Sequence, residues 1–510
     1  MSRSPVRFRL KGTSEYITPL ASTDISGMPA GAGLDLRPYD IAGGTGRRSR
    51  SWVVGSYGPN TAVNYGLDEL RRKSRDQIRK NPYAAAASDK LVSNIVGTGI
   101  VPKSTAPDPA FRQQVADLWL RWTDQADSTG ALDFYGLQAL AVRGMVDAGE
   151  SFVRLRTRRV EDRLLVPLQL QLIEGDQCPH LRTDVAQNIR SGIRYNAIGQ
   201  RAAYLMLREH PGDGIYVTTG LDETEVPADD VAHLYRPLRP GQDRGEPWLT
   251  RALRTLYDLD AYLDAELVRK KNAAMLVGFI KTQSDTTSGV AGSAEPDEEG
   301  AAPIDLVPGT MQVLQDGEDV TWSNPPDVGP NFDPFVRQAL RAVSTAAGVL
   351  YEELSGDYGQ LNDRTLRASL NAFRRAVEMW QHQLVVFQLC RKVWVRWMDL
   401  ALLSGALTLP AGMARPDAYR VDWIPARWPY IHPVQDIQAQ TDEVSAGFAT
   451  RSQKVSERGY DADAIDAENA ADNARADKLG LSYTSDGRHD VKAKKPAEPD
   501  PPNPEPGSEQ

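Results

Sequence analysis

Between Arg236 and Leu403 the chain alternates long helical periods with short polar breaks, and that stretch limits its fold more than any other. From Pro247 onward, Leu249, Leu253, Leu256, Leu259, Leu263 and Leu267 recur at steps of three and four, a spacing that predicts a helix of about 28 residues. A Ser/Thr/Gly/Ala-rich and then acidic segment, 282–304, breaks the pattern, and short strands are expected at Thr310–Leu314 and Val320–Trp322. Asp333 is placed to cap a second helix with Pro334 at its first position, and Gly348 to close it. A polar loop, Tyr351–Asp363, leads into a helix of roughly 40 residues. Its apolar residues Leu366, Leu370, Phe373, Val377, Trp380, Leu384 and Phe387 keep a heptad seam until Arg391 takes the next position. Helices of soluble domains average about 11–12 residues. At about 1.5 Å per residue the last one spans on the order of 60 Å, more than a small domain is wide. Helices of that length suit a subunit that packs on copies of itself, so architecture is indicated before chemistry.

Upstream, residues 1–66 are rich in Gly, Ser, Arg and Tyr without a sustained period and read as an extended arm. Asp68–Lys80 is a charged helix. Asn81 then caps a helix that starts at Pro82 and stops at Gly97. Pro109–Trp122 and Phe134–Ala148 are two further helices. At Val153 the period changes to two. Val153, Leu155 and Thr157 alternate with arginines, and Leu168, Leu170 and Leu172 with glutamines. Ile193–Tyr195, Arg201–Leu207 and Val231–Tyr235 complete an expected antiparallel meander. Residues 68–240 thus read as one α+β domain. Beyond Pro433 the chain is Ala/Asp-rich, and from Lys492 it is a Pro/Glu/Lys tail expected to be disordered.

Length is enough for roughly three domains. The net charge of -9 argues against a protein that simply coats nucleic acid. Charge is uneven: residues 1–90 hold 15 Lys/Arg against 8 Asp/Glu, and residues 436–510 hold 9 against 16, marking a basic arm and an acidic tail. Cys178 and Cys390 stand alone, which fits a chain that folds without disulfides in a reducing cytoplasm. Arg3, Arg7, Arg9 and Lys11 precede no apolar run, so no secretory signal is read. The most apolar helical window, Leu384–Leu403, contains Arg391, Lys392, Arg396 and Asp399 and is no membrane span.

Catalytic signals are sparse, and no enzyme is expected. The chain has no GxxxxGK[ST] phosphate loop, no HExxH and no GxSxG elbow. Gly97-Thr98-Gly99 follows a helix and reads as its stop. His180, His210, His233, His382, His432 and His489 show no metal-ligand spacing, so packed or surface imidazoles are expected and no cofactor. Glu174 and Asp176 flank Gly175 as a paired-carboxylate candidate or, more simply, a polar turn. Arg71, Arg72, Lys73, Arg75, Arg79 and Lys80 form a basic helical cluster, read as a solvated face in preference to a DNA contact. Arg364, Arg367, Arg374 and Arg375 lie in or after the polar loop, and the last three are off the heptad seam. They could face a partner subunit, solvent or a channel.

The chain resembles the lambda-type portal family of tailed bacteriophages from about Asp68 to Gln435. Four segments carry the likeness: RKNPYAAAASDKLVSNIVGTGIVP (79–102), YRPLRPGQDRGEPWLTRALRTLYDLDAYLDAELVRKKNAAM (235–275), PGTMQVLQDGEDVTWSNPPDVGPNFDPFVRQALRAVSTAAGVLYEELSGDYGQLNDRTLRASLNAFRR (308–375) and DWIPARWPYIHPVQD (422–436). Their number, order and spacing make the match. The resemblance implies an α+β portal fold with a wing domain, long stem helices, a clip and a long crown-directed helix. It implies a ring of twelve copies at one capsid vertex, packaging and ejecting double-stranded DNA through its channel. Terminase, the major capsid or scaffold protein and head–tail connectors would be partners, with no membrane involved.

Mapped by position, 1–67 would be the arm, 68–246 the wing, 247–276 the first stem helix and 277–328 the clip. Residues 329–349 would hold the second stem helix, 350–363 the tunnel loop, 364–435 the long helix with its wing and crown part, and 436–510 an acidic, largely disordered tail. Tyr358, Gln360, Asn362, Arg364 and Arg367 would then face the DNA, and Asp297, Glu298, Glu299, Asp316 and Glu318 would dock the motor. The Gly/Ser/acidic insertion at 282–304 departs from the family's pattern in the clip. Two other readings stand behind this one. The first is a connector adaptor or minor capsid protein, of which adaptors are usually much smaller and lack the stem–clip–stem order. The second, more remote, is a packaging enzyme, against which the missing phosphate loop and metal-ligand spacing count.

Overall fold

In a computed structural model the chain is described for residues 8–9, 16–17, 56–213, 222–274, 278–282, 318–322, 332–359, 362–426, 428, 433–481 and 483. It divides into two compact units, Met1–Tyr57 and Gly58–Gln510. The first carries a two-stranded antiparallel ladder, β1 (Phe8–Arg9) with β2 (Tyr16–Ile17).

The second unit opens with a short helix inside the expected arm, α1 (Pro59–Asn64), and continues into α2 (Leu67–Lys80) and α3 (Pro82–Val96). The expected punctuation of α3 is present. Asn81 accepts hydrogen bonds from the amides of Tyr83 and Ala84, Pro82 stands at the first turn, and Gly97 ends the helix at φ +58°. Strand β3 (Val101–Ser104) follows, then α4 (Pro109–Thr123) and α5 (Phe134–Ala148), each capped by the aspartate before it.

The strand region is two sheets and not one meander. β4 (Glu150–Thr157) and β5 (Leu168–Glu174) form a hairpin. The chain then builds a second, four-stranded sheet from β6 (Ile189–Arg190), β7 (Ile193–Tyr195), β8 (Arg201–Leu207) and β9 (Glu223–Pro227). Only afterwards does β10 (Val231–Tyr235) return to pair with β4. The reason is burial. Phe152 and Ile173 on the first sheet and Ile193, Tyr204 and Met206 on the second share one small core, so each sheet covers an apolar face of the other.

A 3-10 turn, Trp248–Arg251, starts the first long helix, α6 (Leu253–Ala274). Strands β11 (Gly278–Thr282) and β12 (Glu318–Trp322) pair antiparallel. β11 has no counterpart in the sequence reading, and Thr310–Leu314 lies outside the described residues. Helix α7 (Phe332–Ala347) begins before Asp333, which therefore sits in the first turn, where its charge suits the helix dipole, and not at the cap. The polar loop opens with a helical turn, α8 (Tyr351–Ser355).

From Asp363 the chain is helical to Leu403: α9 (Asp363–Trp380), a π-helical segment (Gln381–Cys390) and α10 (Arg391–Leu403). The heptad seam holds for Phe373, Val377, Trp380 and Leu384, all buried, and fails at Phe387, which is 61% exposed. The π segment explains the early break. Its i→i+5 bonds widen the turn, so Val385, Val386 and Leu389 take the inward positions. On the inner side Trp394 meets Trp119 of α4, and Trp397 meets both Trp119 and Trp122, with centroids 5.0–6.2 Å apart, within the main core.

After α11 (Arg415–Ala418), β13 (Val421–Ile424) pairs with β3 and ties the late chain to the early one. The segment expected to be largely disordered from 436 instead forms α12 (Pro433–Ser445), α13 (Arg451–Glu457) and α14 (Ala462–Leu479). Its Ala/Asp composition reads as polar tail, yet Thr450 and Asp461 cap α13 and α14, and alanine is the best helix former. Residues 484–510 lie outside the described ones. No helix among the described residues is long and apolar enough to cross a membrane.

Candidate functional site

The segment before α6 is fixed to the sheets by a buried ionic hub. Glu150 opens β4 with no exposure, and Arg71 of α2 and Arg244 both donate to it. The Arg244 Nε lies 2.8 and 3.0 Å from the two carboxylate oxygens, and its other nitrogens reach the carbonyls of Ser191, Gly175 and Cys178 at 2.8–3.1 Å. The Gly245 amide adds a bond at 3.1 Å. His233 of β10 stacks between Phe152 and Tyr235 and meets Glu150 through Nε2 at 2.9 Å. Burial alone would raise the Glu150 pKa, but the Arg244 and Arg71 guanidiniums outweigh it and hold the carboxyl well below its usual range. Burial pushes His233 down to about 3 despite the carboxylate beside it. The imidazole is therefore neutral, and the Arg201 guanidinium approaches its Nδ1 at 3.0 Å.

Backbone sterics complete the hub. A Cβ on Gly245 would stand 2.0 Å from the Gly149 carbonyl oxygen, so the chain can cross there only as glycine. These contacts give PGQDRGEPW its physical meaning: the loop carries a buried cation and a close backbone crossing just before the first long helix. Sequence reading missed Glu150 and Arg244. The available signal was an Arg-Gly pair in a turn and a glutamate directly after a helix-ending glycine.

Beyond the hub, Arg236 lies over the Trp248 ring at 4.2 Å, and Trp248 meets Trp380 of α9 at 4.9 Å. Gly348, at φ +78°, ends α7 against the Trp380 ring, 3.3 Å from where a Cβ would be. The turn that leads into α6, the end of α7 and the end of α9 thus converge on Trp380. Farther along, Tyr262 of α6 packs against Phe332 and Phe335 of α7, centroids 5.9 and 4.8 Å apart.

The expected channel residues fall at the start of α9. Tyr358 is 56% exposed, Asn362 caps α9 by accepting from the Arg364 amide at 3.0 Å, and Arg364 is exposed. Gln360 lies outside the described residues. Arg367 is half-buried and lines a cavity of about 1390 Å³ that also takes in Arg374, Trp428 and parts of α12 to α14. The turn before them is ordered by Asp357, which accepts from the Tyr351 hydroxyl at 3.2 Å and lies 3.5 Å from Arg337. Of the expected docking acids, Glu318 opens β12 opposite Thr282, and Asp297, Glu298, Glu299 and Asp316 lie outside the described residues.

The basic cluster on α2 is used within the chain. Arg71 belongs to the hub, Arg75 bridges Glu174 and Asp176 at 2.8 and 2.6 Å, and Arg72, Lys73 and Lys80 pair along their own helix. Glu174 and Asp176 come within 4.8 Å of each other and of His210. Both carboxylates already accept from the Arg75 guanidinium, which supplies their counter-charge.

The family model described as "Phage portal protein, lambda family" matches residues 45–381. A probable portal protein of Halomonas phage phiHAP-1 is 26% identical over 433 residues, covering 81% of this chain and 82% of that protein. Portal protein B of Escherichia phage lambda is 23% identical over 482 residues, covering 86% and 89%. Among solved structures, a chain from the neck of an empty gene transfer agent particle aligns with a TM-score of 0.44 at 15% identity, over 77% of this chain and 93% of that one.

Proposed function

The chain belongs to the lambda family of phage portal proteins, and on that footing we propose how its parts divide the work. It is a structural component of the virion, set at a capsid vertex, and serves genome packaging and ejection. The observation that carries this is the family match over residues 45–381, which takes in the hub, both stem helices and the loop between α7 and α9.

In the proposed division, residues 68–246 form the wing, α6 and α7 the stem, 277–328 the clip that docks terminase, and 350–363 the tunnel loop. Twelve copies close into a ring around double-stranded DNA, and head–tail connectors follow the motor on the clip. The hub and Trp380 would transmit load from wing to stem, since each ties the segment that leads into α6 to elements far away in sequence. Tyr358 and Arg364 would present to the DNA a belt of one aromatic and one cation per subunit. A sliding duplex needs few such contacts, because each neutralised phosphate adds affinity by counterion release and too many would stall it. The chain's acidic balance, 68 Asp and Glu against 59 Lys and Arg, suits a low-friction wall.

Negative-stain imaging of the purified chain tests the reading. Rings with a central hole are expected; a monomer with ATP- or metal-dependent DNA cleavage would sink it.

A further inference from the structure

The outer side of the long helix carries a pattern that neither its core contacts nor the loop before it explains. Arg375, Met379, Gln383, Phe387, Arg391 and Val395 follow one another at steps of four, and all six are exposed. In an unbroken α-helix each step of four overshoots a turn by about 40°, so six such positions would wind about 200° around the axis. The π segment, Gln381–Cys390, cancels that drift. Its wider turns hold more than four residues, so a step of four inside it falls short of a full turn. The six side chains therefore form a straight stripe.

The composition of that stripe is specific. Met379, Phe387 and Val395 are 47%, 61% and 48% exposed. The Arg391 guanidinium lies 5.7 Å from the Phe387 ring centroid. Among the described residues neither Arg375 nor Arg391 has a carboxylate within ion-pair distance. The flanking cations differ: Lys392 donates to the Ala228 and Val231 carbonyls, and Arg396 pairs with Asp230.

We propose that this stripe is the face by which the long helix packs on an acidic, apolar surface of the next copy of the chain, an inference that rests on the ring reading above. A second copy answers both halves of the pattern. It offers apolar side chains for Met379, Phe387 and Val395, and an excess of carboxylates for Arg375 and Arg391. DNA would engage the two arginines and leave the three apolar residues in water. The opposite side of the same helix is in the chain's own core, so the surface met on the neighbour is a different one. Such a heterologous contact closes into a ring by rotation.

The test uses the full chain with Phe387→p-benzoylphenylalanine or Val395→p-benzoylphenylalanine, irradiated as assembled rings. Covalent pairs between subunits are expected, mapping by mass spectrometry to a segment rich in Asp or Glu. A parallel Arg375→Glu/Arg391→Glu variant should lower the ring fraction at least tenfold at a fixed concentration, with the melting temperature of its monomer unchanged. Wild-type rings with cross-links confined to single chains, or with cross-links to DNA in loaded particles, would overturn this interface and leave the ring reading standing. A wild-type chain that forms no ring overturns both.

Discussion

Glu150 carries one negative charge against two guanidiniums in a pocket without solvent, and the sign of that balance sets what its removal does. Glu150→Gln keeps the shape and leaves Arg71 and Arg244 buried without a counter-charge, so a loss of about 3–5 kcal/mol is expected in urea unfolding. The pH dependence follows from two depressed pKa values. His233 binds no proton in the folded state until about pH 3, whereas the unfolded chain takes one up near 6.5. Between those values the unfolded state holds more protons, so stability falls on acidification by roughly 1.4 kcal/mol per pH unit at most. Glu150 adds to this below its unfolded value of about 4.5, because its folded pKa is lower still. A His233→Gln chain should therefore show a shallower slope between pH 6.5 and 3 in thermal melts; an unchanged slope would mean another group titrates there. Gly245→Ala is expected to cost about 1–3 kcal/mol, since its Cβ meets backbone rather than a side chain that can move. None of this was legible residue by residue. Arg71 stands in a run of basic residues, and periodicity alone does not reveal that its partner lies 79 positions away.

At the level of elements, the sequence was informative wherever local chemistry decides. Asn81, Pro82 and Gly97 set the ends of α3, the capping aspartates set α4 and α5, and Gly348 sets the end of α7. It was least informative where long-range pairing decides. β3 waits for β13, more than 300 residues later, and β9 completes a sheet that the period-two pattern had merged with its neighbour. The π segment belongs to the same class, because hydrophobic spacing reports a helix but not its hydrogen-bond register. It also supports a prediction. Deleting the exposed Gln383 should let the segment close as α-helix while turning everything after it by one residue. Trp394 and Trp397 would then leave the tryptophan cluster, where each has at most 2% exposure. Soluble expression and ring yield should both collapse, whereas Gln383→Ala at the same site should preserve them. Equal behaviour of the two variants would show that the register can slip without cost.

For the whole molecule the order of parts matters more than any one side chain. Resemblance over four segments made the family legible, while the helices after Pro433 were hidden by a composition that looks like tail. The proposed division into wing, stem and loop would separate assembly from DNA contact, and the two can be uncoupled experimentally. The segment from Tyr358 to Leu361 lies between Gly356, whose φ of +70° closes α8, and Asn362, which caps α9. Both flanking helices are fixed independently, α8 through Leu354 in the core and α9 through Phe373, Val377 and, at its end, Trp380. Loop closure changes little in free energy for a few residues removed, provided the shortened chain still spans the gap. Deleting Tyr358–Leu361 should therefore leave rings of normal size in negative stain. In a complemented infection it should cut the number of nuclease-protected genomes per particle at least tenfold. Rings lost together with packaging would make the loop a structural brace, and packaging at wild-type level would move the DNA contact to another part of the stem.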